Sequence, residues 1–286
     1  MRRKLSEFYV NSPTTRNANF LVFCHDVSME LTSASAADFA VDPERIEFMG
    51  LTFDPLDTAG TVVELVRRAD RGCDFTYLVT PNVDHMVRLD AEPNLRPLYT
   101  DAGMLVCDSR ILELFAKFES KELPAAPGAD IVEALIRDHV KSDEKIVVIG
   151  GDEGIIESLA RDYGIANVAW HNPPMGLRNK PDEVRKAAEF LVSENERFAF
   201  LCVGSPQQEM VAREALRLGR GKGVVLCCGA SLEFLAGRVE RAPLWMRNAR
   251  LEWLHRLLSE PKRMWKRYLV DGPRIFAIWR KHKSEQ

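Results

Sequence analysis

The chain has 286 residues, 46% hydrophobic and 28% charged, the ordinary balance of a globular protein with length for one large or two modest domains. No apolar stretch approaches the roughly 18 residues of a membrane span, and Glu7, Asn11, Ser12 and Pro13 interrupt any apolar core behind the basic start Met1-Arg2-Arg3-Lys4, so no secretory signal is expected. The net charge of −3 conceals an asymmetry: from Arg238 onward 13 Lys or Arg face 5 Asp or Glu, a local +8 that leaves −11 on the rest and points to an anionic partner for the tail.

Residues 1–43 are polar and without a sustained period, and read as a weakly ordered extension with at most one short element at Phe20–Phe23. From Arg45 a regular alternation begins. Strands are expected at Arg45–Phe48, Phe75–Thr80, Met104–Cys107, Lys145–Ile149, Asn167–Trp170, Phe198–Val203 and Val224–Cys228. Helical periods fall at Thr58–Arg71, Val83–Tyr99, Ser109–Phe118, Asp130–Val140, Gly154–Tyr163, Pro181–Asn195 and Gln207–Leu218. Strands apolar on both faces, separated by amphipathic helices, predict an α/β fold over residues 44–243: a doubly wound, Rossmann-like, mainly parallel sheet. Leu244–Lys283 is helical in period, basic, and holds Trp245, Trp253, Trp265 and Trp279, four of the five tryptophans. Residues 244–286 therefore read as a basic amphipathic helical appendage suited to a membrane interface. Of the six cysteines (Cys24, Cys73, Cys107, Cys202, Cys227, Cys228), four lie in or beside apolar runs and read as buried hydrophobes in a reducing compartment. Without a CxxC pair, a structural zinc site is not expected.

In such sheets ligands bind beyond the carboxyl ends of the strands, so the residues that follow each strand carry the functional reading. Thr80-Pro81-Asn82 offers a hydroxyl and an amide to a sugar or base, or simply a helix cap with a turn proline. Asp108 is a carboxylate emerging from a buried strand, placed to accept a proton from a hydroxyl or to cap the next helix. Gly150-Gly151-Asp152-Glu153-Gly154 suits phosphate contact at a helix N-terminus, or only tight packing. After the sixth of these strands comes Gly204-Ser205-Pro206-Gln207-Gln208-Glu209, where Gln208 can read sugar hydroxyls or a uracil edge and Glu209 can satisfy helix N-terminal amides. In the tail, Trp alternates with Arg and Lys, a pattern for an interface, for clamping a diphosphate, or for a solvated helix docked by its aromatics.

Taken together these pieces strongly resemble the WecG/TagA/CpsF glycosyltransferase family. The resemblance rests on Thr80-Pro81-Asn82, Asp108, Gly204-Ser205-Pro206-Gln207-Gln208-Glu209, Phe234-Leu235-Ala236-Gly237 with Arg241-Ala242-Pro243, Glu252-Trp253-Leu254-His255-Arg256, and Glu260-Pro261-Lys262-Arg263, in the family's order. It implies inverting transfer of a hexosyl or N-acetylhexosaminyl group from a UDP-sugar to an undecaprenyl-diphosphate-linked saccharide, for surface polysaccharide synthesis. It places the enzyme in the cytoplasm, peripheral on the inner face of the cytoplasmic membrane. Asp108 is then the base, and Thr80 and Asn82 line the acceptor or sugar pocket. Gly204 and Gln208 contact the nucleotide-sugar region, and Arg256, Arg263 and Lys266 engage the donor diphosphate. Two departures stand out: Ser109 follows the Asp where the family usually has Gly, and Leu123–Gly128 lacks an Arg that the family tends to carry, with Arg110 a candidate substitute.

The sequence holds no D-x-D metal-ligand motif, so neither a metal nor another cofactor is expected. The expected partners are the donor, the lipid-linked acceptor and an anionic membrane surface, with a homo-oligomer left open and nucleic acid not expected. Two other classes compete: a nucleotide-dependent oxidoreductase, which the Gly150 turn allows but which lacks the dinucleotide fingerprint, and a non-enzymatic membrane or nucleic-acid adaptor using the tail, which leaves Asp108 and the Gln207-Gln208-Glu209 turn without a role.

Overall fold

A computed structural model describes residues 44–72, 74–238, 242–243, 246, 252–259, 261–265, 270 and 272–284. The expected extension at 1–43, and Cys24, Cys73, Arg241, Trp245, Glu260 and Lys266, lie outside the described residues.

Two short strands, β1 (Ile46–Phe48) and β2 (Leu51–Phe53), open the fold as an antiparallel hairpin with Ile46 opposite Phe53. Its reversal at Met49-Gly50 uses positive φ at both positions (50° and 74°), the backbone that matches strand twist in a two-residue hairpin. The second strand was not foreseen, because Leu51-Thr52-Phe53 is too short to show a period. Then follow α1 (Thr58–Asp70), β3 (Thr76–Val79), α2 (Val83–Ala91), α3 (Pro97–Thr100), β4 (Met104–Leu105), α4 (Arg110–Phe118), α5 (Gly128–Asp138) and β5 (Ile146–Gly150). After them come α6 (Glu153–Tyr163), β6 (Val168–His171), α7 (Pro181–Glu194), β7 (Phe198–Cys202), α8 (Gln207–Leu218), β8 (Val224–Cys227) and α9 (Ser231–Leu235). The single helix expected over Val83–Tyr99 is broken, since Pro93 and Pro97 each lack the amide that continuation needs and each starts a new short turn.

Strands β3 to β8 form one six-stranded sheet in the order β4-β3-β8-β7-β5-β6, and every recorded pairing in it is parallel. Side chains alternate between two cores. Tyr77, Val79, Val147, Ile149, Ala199, Leu201 and Val225 pack with α2, α3, α4, α7 and α8. Leu78, Val148, Phe198, Phe200, Val224 and Leu226 face α1, α5, α6 and α9. From β8 through β7 and β5 to β6 the following helices alternate between the two faces, as from β7 to α8 and from β8 to α9, while β3 and β4 both send theirs to the α2–α4 side. The crevices this opens lie at the carboxyl edge.

The tail resolves into α10 (Glu252–Ser259), α11 (Pro261–Trp265) and α12 (Arg274–Ser284), with Pro261 opening α11 and Pro273 just before α12. Ile275 and Ile278 of α12 are buried in the α2–α4 core. Trp279 stacks on Phe115 at 4.7 Å between ring centroids, and its Nε1 donates to Glu119 Oε1 at 2.7 Å. Trp279, expected at lipid headgroups, is therefore part of the protein's own packing. Trp265 is 52% exposed and Leu258 71%.

One carboxylate fastens the hairpin to the sheet. Asp54, 7% exposed, accepts from Arg45 at 2.8 and 3.0 Å and from the Leu105 amide at 2.7 Å. Asp54→Ala leaves a buried amide unpaired and is expected to cost about 2–3 kcal/mol in equilibrium urea unfolding, with Asp54→Asn, which keeps an acceptor, losing less.

Candidate active site

Across the carboxyl edge the strand-end turns stand in the order Asp108, Thr80–Asn82, Cys228–Gly229, Gly204–Ser205 and Gly150–Asp152, as the strand order dictates. Asp108 is half-buried, and its backbone amide donates to Pro81 O at 2.9 Å, tying the β4 turn to the β3 turn. Capping of α4 falls to Ser109, whose hydroxyl accepts from Leu112 N at 3.3 Å. Asp108 stands one position before that cap, and the residue that departs from the family pattern acquires a local purpose. Arg110 pairs with Glu113 on its own helix at 3.2 Å.

The segment before α5 runs alongside this turn. Ala126 N donates to Cys107 O at 2.7 Å, and Ala125 bridges Cys107 in parallel. This brings Gly128 against Thr80, which is 8% exposed: a Cβ on Gly128 would stand 3.0 Å from Thr80 Oγ1. Asn82 caps α2 through Oδ1, which accepts from Asp84 N at 3.1 Å and His85 N at 3.4 Å. The cap uses only the carbonyl end of the amide, so the capping and ligand-binding readings of Asn82 are compatible.

Gln208 is placed differently from a residue reaching into open solvent. It is 3% exposed, its Oε1 accepts from Gly229 N at 2.9 Å, and its Nε2 donates to Glu209 Oε1 at 2.9 Å. It links the turn after β7 to the turn after β8. Gly204 begins the β7 turn with φ 74°, and its carbonyl accepts from Gln208 N at 3.0 Å. Sequence reasoning passed over Arg88, which crosses from α2 to donate to Ser205 Oγ at 2.7 Å. Its i,i+4 ion pair with Asp84 is the legible signal and hides this second contact.

At the far end of the edge, Gly150 (φ 90°) lies so close to β7 that a Cβ would sit 2.7 Å from Val203 Cγ1, which makes tight packing a sufficient reason for the glycine. Asp152 caps α6 by accepting from Ile155 N at 3.2 Å and is also paired with Arg238, whose guanidinium holds its carboxyl below the ordinary range. Arg256 falls in α10 and Arg263 in α11, their side chains outside the described set, as is the whole of Lys266. Among the described residues, no group of three or more His, Cys, Asp or Glu is arranged to hold a metal ion, and no helix is long and apolar enough to cross a membrane.

The family model for the glycosyl transferase WecG/TagA/CpsF family matches residues 46–286, from β1 through the tail. The chain belongs to that family. As a WecG/TagA/CpsF member it is a glycosyltransferase of cell-surface polysaccharide synthesis, acting between a nucleotide-sugar donor and a saccharide acceptor. The oxidoreductase and adaptor readings give way to it. The matched span includes α10 to α12, so the tail is family sequence and not an attachment peculiar to this chain.

The cap at Asn82 allows fold to be separated from chemistry by substitution. Serine caps helices about as well as asparagine, whereas alanine costs ~1 kcal/mol. Asn82→Ser is expected to melt like the wild type and Asn82→Ala to be destabilised by about that amount. Both are expected to lose sugar transfer equally, checked by thermal melting beside a transfer assay; full activity in Asn82→Ser would leave the residue only a cap.

Proposed function

We propose that the chain is an inverting glycosyltransferase that moves a hexosyl or N-acetylhexosaminyl group from a UDP-sugar to an undecaprenyl-diphosphate-linked saccharide at the inner face of the cytoplasmic membrane. The observation that carries this reading is Asp108: a half-buried carboxylate at a strand end, its backbone amide tied to the Thr80–Asn82 turn through Pro81 O. As general base, Asp108 takes the proton of the acceptor hydroxyl, whose oxygen attacks the anomeric carbon as the nucleoside diphosphate departs on the opposite face. Thr80 and Asn82 hold sugar hydroxyls. Gln208 and Gly204 act on the donor region by shaping the floor between β7 and β8. Arg256, Arg263 and Lys266 neutralise the departing diphosphate, with guanidinium forks matched to phosphate oxygens.

Membrane attachment is assigned to the exposed apolar side chains Leu258 and Trp265 and to the cations around them. Each cation near an anionic leaflet contributes about 1 kcal/mol, so a few suffice for reversible binding. Deleting residues 244–286 is a poor test, because it strips Ile275, Ile278 and Trp279 from the core. Paired substitution Leu258→Ser and Trp265→Ser is expected to reduce binding to anionic vesicles while leaving transfer to a water-soluble acceptor analogue unchanged. Arg256→Ala or Arg263→Ala is expected to give the reverse pattern.

Asp108→Asn keeps shape and removes the proton acceptor, so turnover is expected to fall ~10²-fold or more with melting unchanged. Wild-type turnover in this variant would remove Asp108 from the role. The missing D-x-D motif and the +8 tail also lead to an expectation of transfer in excess EDTA. Loss restored by magnesium or manganese would reveal a metal requirement.

A further inference from the structure

Glu209 stands in the first turn of α8, completely buried at 0% exposure. Its Oε1 accepts from Gln208 Nε2, while Oε2 is buried without a hydrogen-bond partner. Arg88, the cation that acts on this carboxyl from α2, is bonded instead to Asp84 at 2.6 Å and to Ser205 Oγ at 2.7 Å. Among the described residues no cation forms an ion pair with Glu209. Beyond Gln208 lies Gly229, whose amide is held by the other end of the Gln208 side chain. A chain of two hydrogen bonds thus runs from a buried carboxyl to the backbone of the β8 turn, beneath the middle of the carboxyl edge.

We propose that Glu209 is a neutral carboxylic acid that serves as a positioning residue, orienting the Gln208 amide and through it the Gly229 turn at the floor of the transfer site. The role at the floor rests on the function proposed above; the protonation does not. A carboxylate enclosed in protein with no ion partner is strongly disfavoured over its neutral form, and burial accordingly raises the Glu209 carboxyl above the usual range. Gln208 hydrogen-bonding, Ser205 and Arg88 only partly offset that effect. The groups that face Glu209 are Arg88 on α2, Tyr99 on α3, Tyr77 on β3, Cys227 on β8 and Ser205 in the β7 turn, with His85 against the Tyr99 ring. Burial raises the Tyr77 phenol, the Tyr99 phenol and the Cys227 thiol as well, which keeps them neutral alongside it. A neutral acid holds the Gln208 amide by its carbonyl oxygen and places no charge under a site that must accept an anionic donor.

Glutamine reproduces a neutral acid in shape and in its acceptor oxygen, which gives a sharp test on the full-length protein. Glu209→Gln is expected to keep transfer within about twofold of wild type, whereas Glu209→Ala, which removes the acceptor, is expected to lose roughly tenfold in kcat/KM. The infrared difference spectrum of wild type minus Glu209→Gln at neutral pH is expected to show the carbonyl stretch of a protonated carboxylic acid. Linkage supplies a further readout. A carboxyl raised in the folded state binds its proton more tightly there than in the unfolded chain, so wild-type stability falls as pH rises from the ordinary carboxylate range toward the folded value. Glu209→Gln lacks that loss, and its melting temperature is expected to gain on wild type between about pH 5 and about pH 8. No acid carbonyl band, or a Glu209→Gln variant as damaged as Glu209→Ala, would overturn the proposal. Inactivity of the wild type toward every nucleotide sugar would instead overturn the proposed function, with the infrared and melting results still deciding the state of Glu209.

Discussion

A parallel sheet covered by helices on both sides has no polar face, and this constraint fixes where chemistry is possible in the molecule. Leu78 and Val79, neighbours on one strand, serve opposite cores, as do Phe200 and Leu201. Polar side chains are therefore driven to the strand ends, where helix N-termini and open backbone groups also collect. These ends are laced to each other laterally. Pro81 O receives the Asp108 amide, and Leu201 O receives the amides of Cys228 and Gly229 at 3.1 and 3.3 Å. The geometry of the site is thus inherited from the register of the sheet, and no single loop sets it.

The turns close the helix ends that follow the strands, and they do so with different residues at each strand. Ser109 is the N-cap of α4, one position after the Asp108 carboxylate. Asn82 caps α2 by one end of its amide. Asp152 caps α6 and is also engaged by Arg238, which makes it a structural residue by two independent contacts. Three polar residues that follow three strands thus stand differently toward the next helix, two as its cap and Asp108 one position before it, although in sequence they look alike.

That likeness explains how much of the molecule was legible beforehand. Runs such as Ile146–Gly150 and Phe198–Cys202 are buried along most of their length, so an apolar stretch bounded by polar turns located them without reference to any partner. The Leu51–Phe53 strand has only three residues and is defined by pairing with β1 and by Asp54, neither of which leaves a periodic trace. The placement of Asp108, Thr80 and Asn82 just after strands was legible because strand ends are where an α/β sheet exposes polar groups. The burial of Gln208 and Glu209 was not. At the N-terminus of a helix two polar residues look solvent-facing, and only the approach of the β8 turn and of Tyr99 on α3 encloses them.

The tail presents the same problem in a different form, since tryptophan and cations on one helical period serve equally well to dock a helix or to meet a membrane. Within α12 the period separates the two uses. Ile275, Ile278 and Trp279, at spacings of three and four, face the α2–α4 core, while Arg274, Phe276, Arg280, Lys281 and Lys283 are exposed. Lys281 is also within 3.5 Å of Asp90 on α2, and Trp279 is pinned to Glu119 just beyond α4. The cationic side of α12 is consequently delivered in a fixed direction by packing, and preorganisation of this kind lowers the freedom that any contact with such a side would cost. The hydrophobic stripe and the charge asymmetry of the sequence are two aspects of one arrangement: the core side of the helix determines where its positive side points.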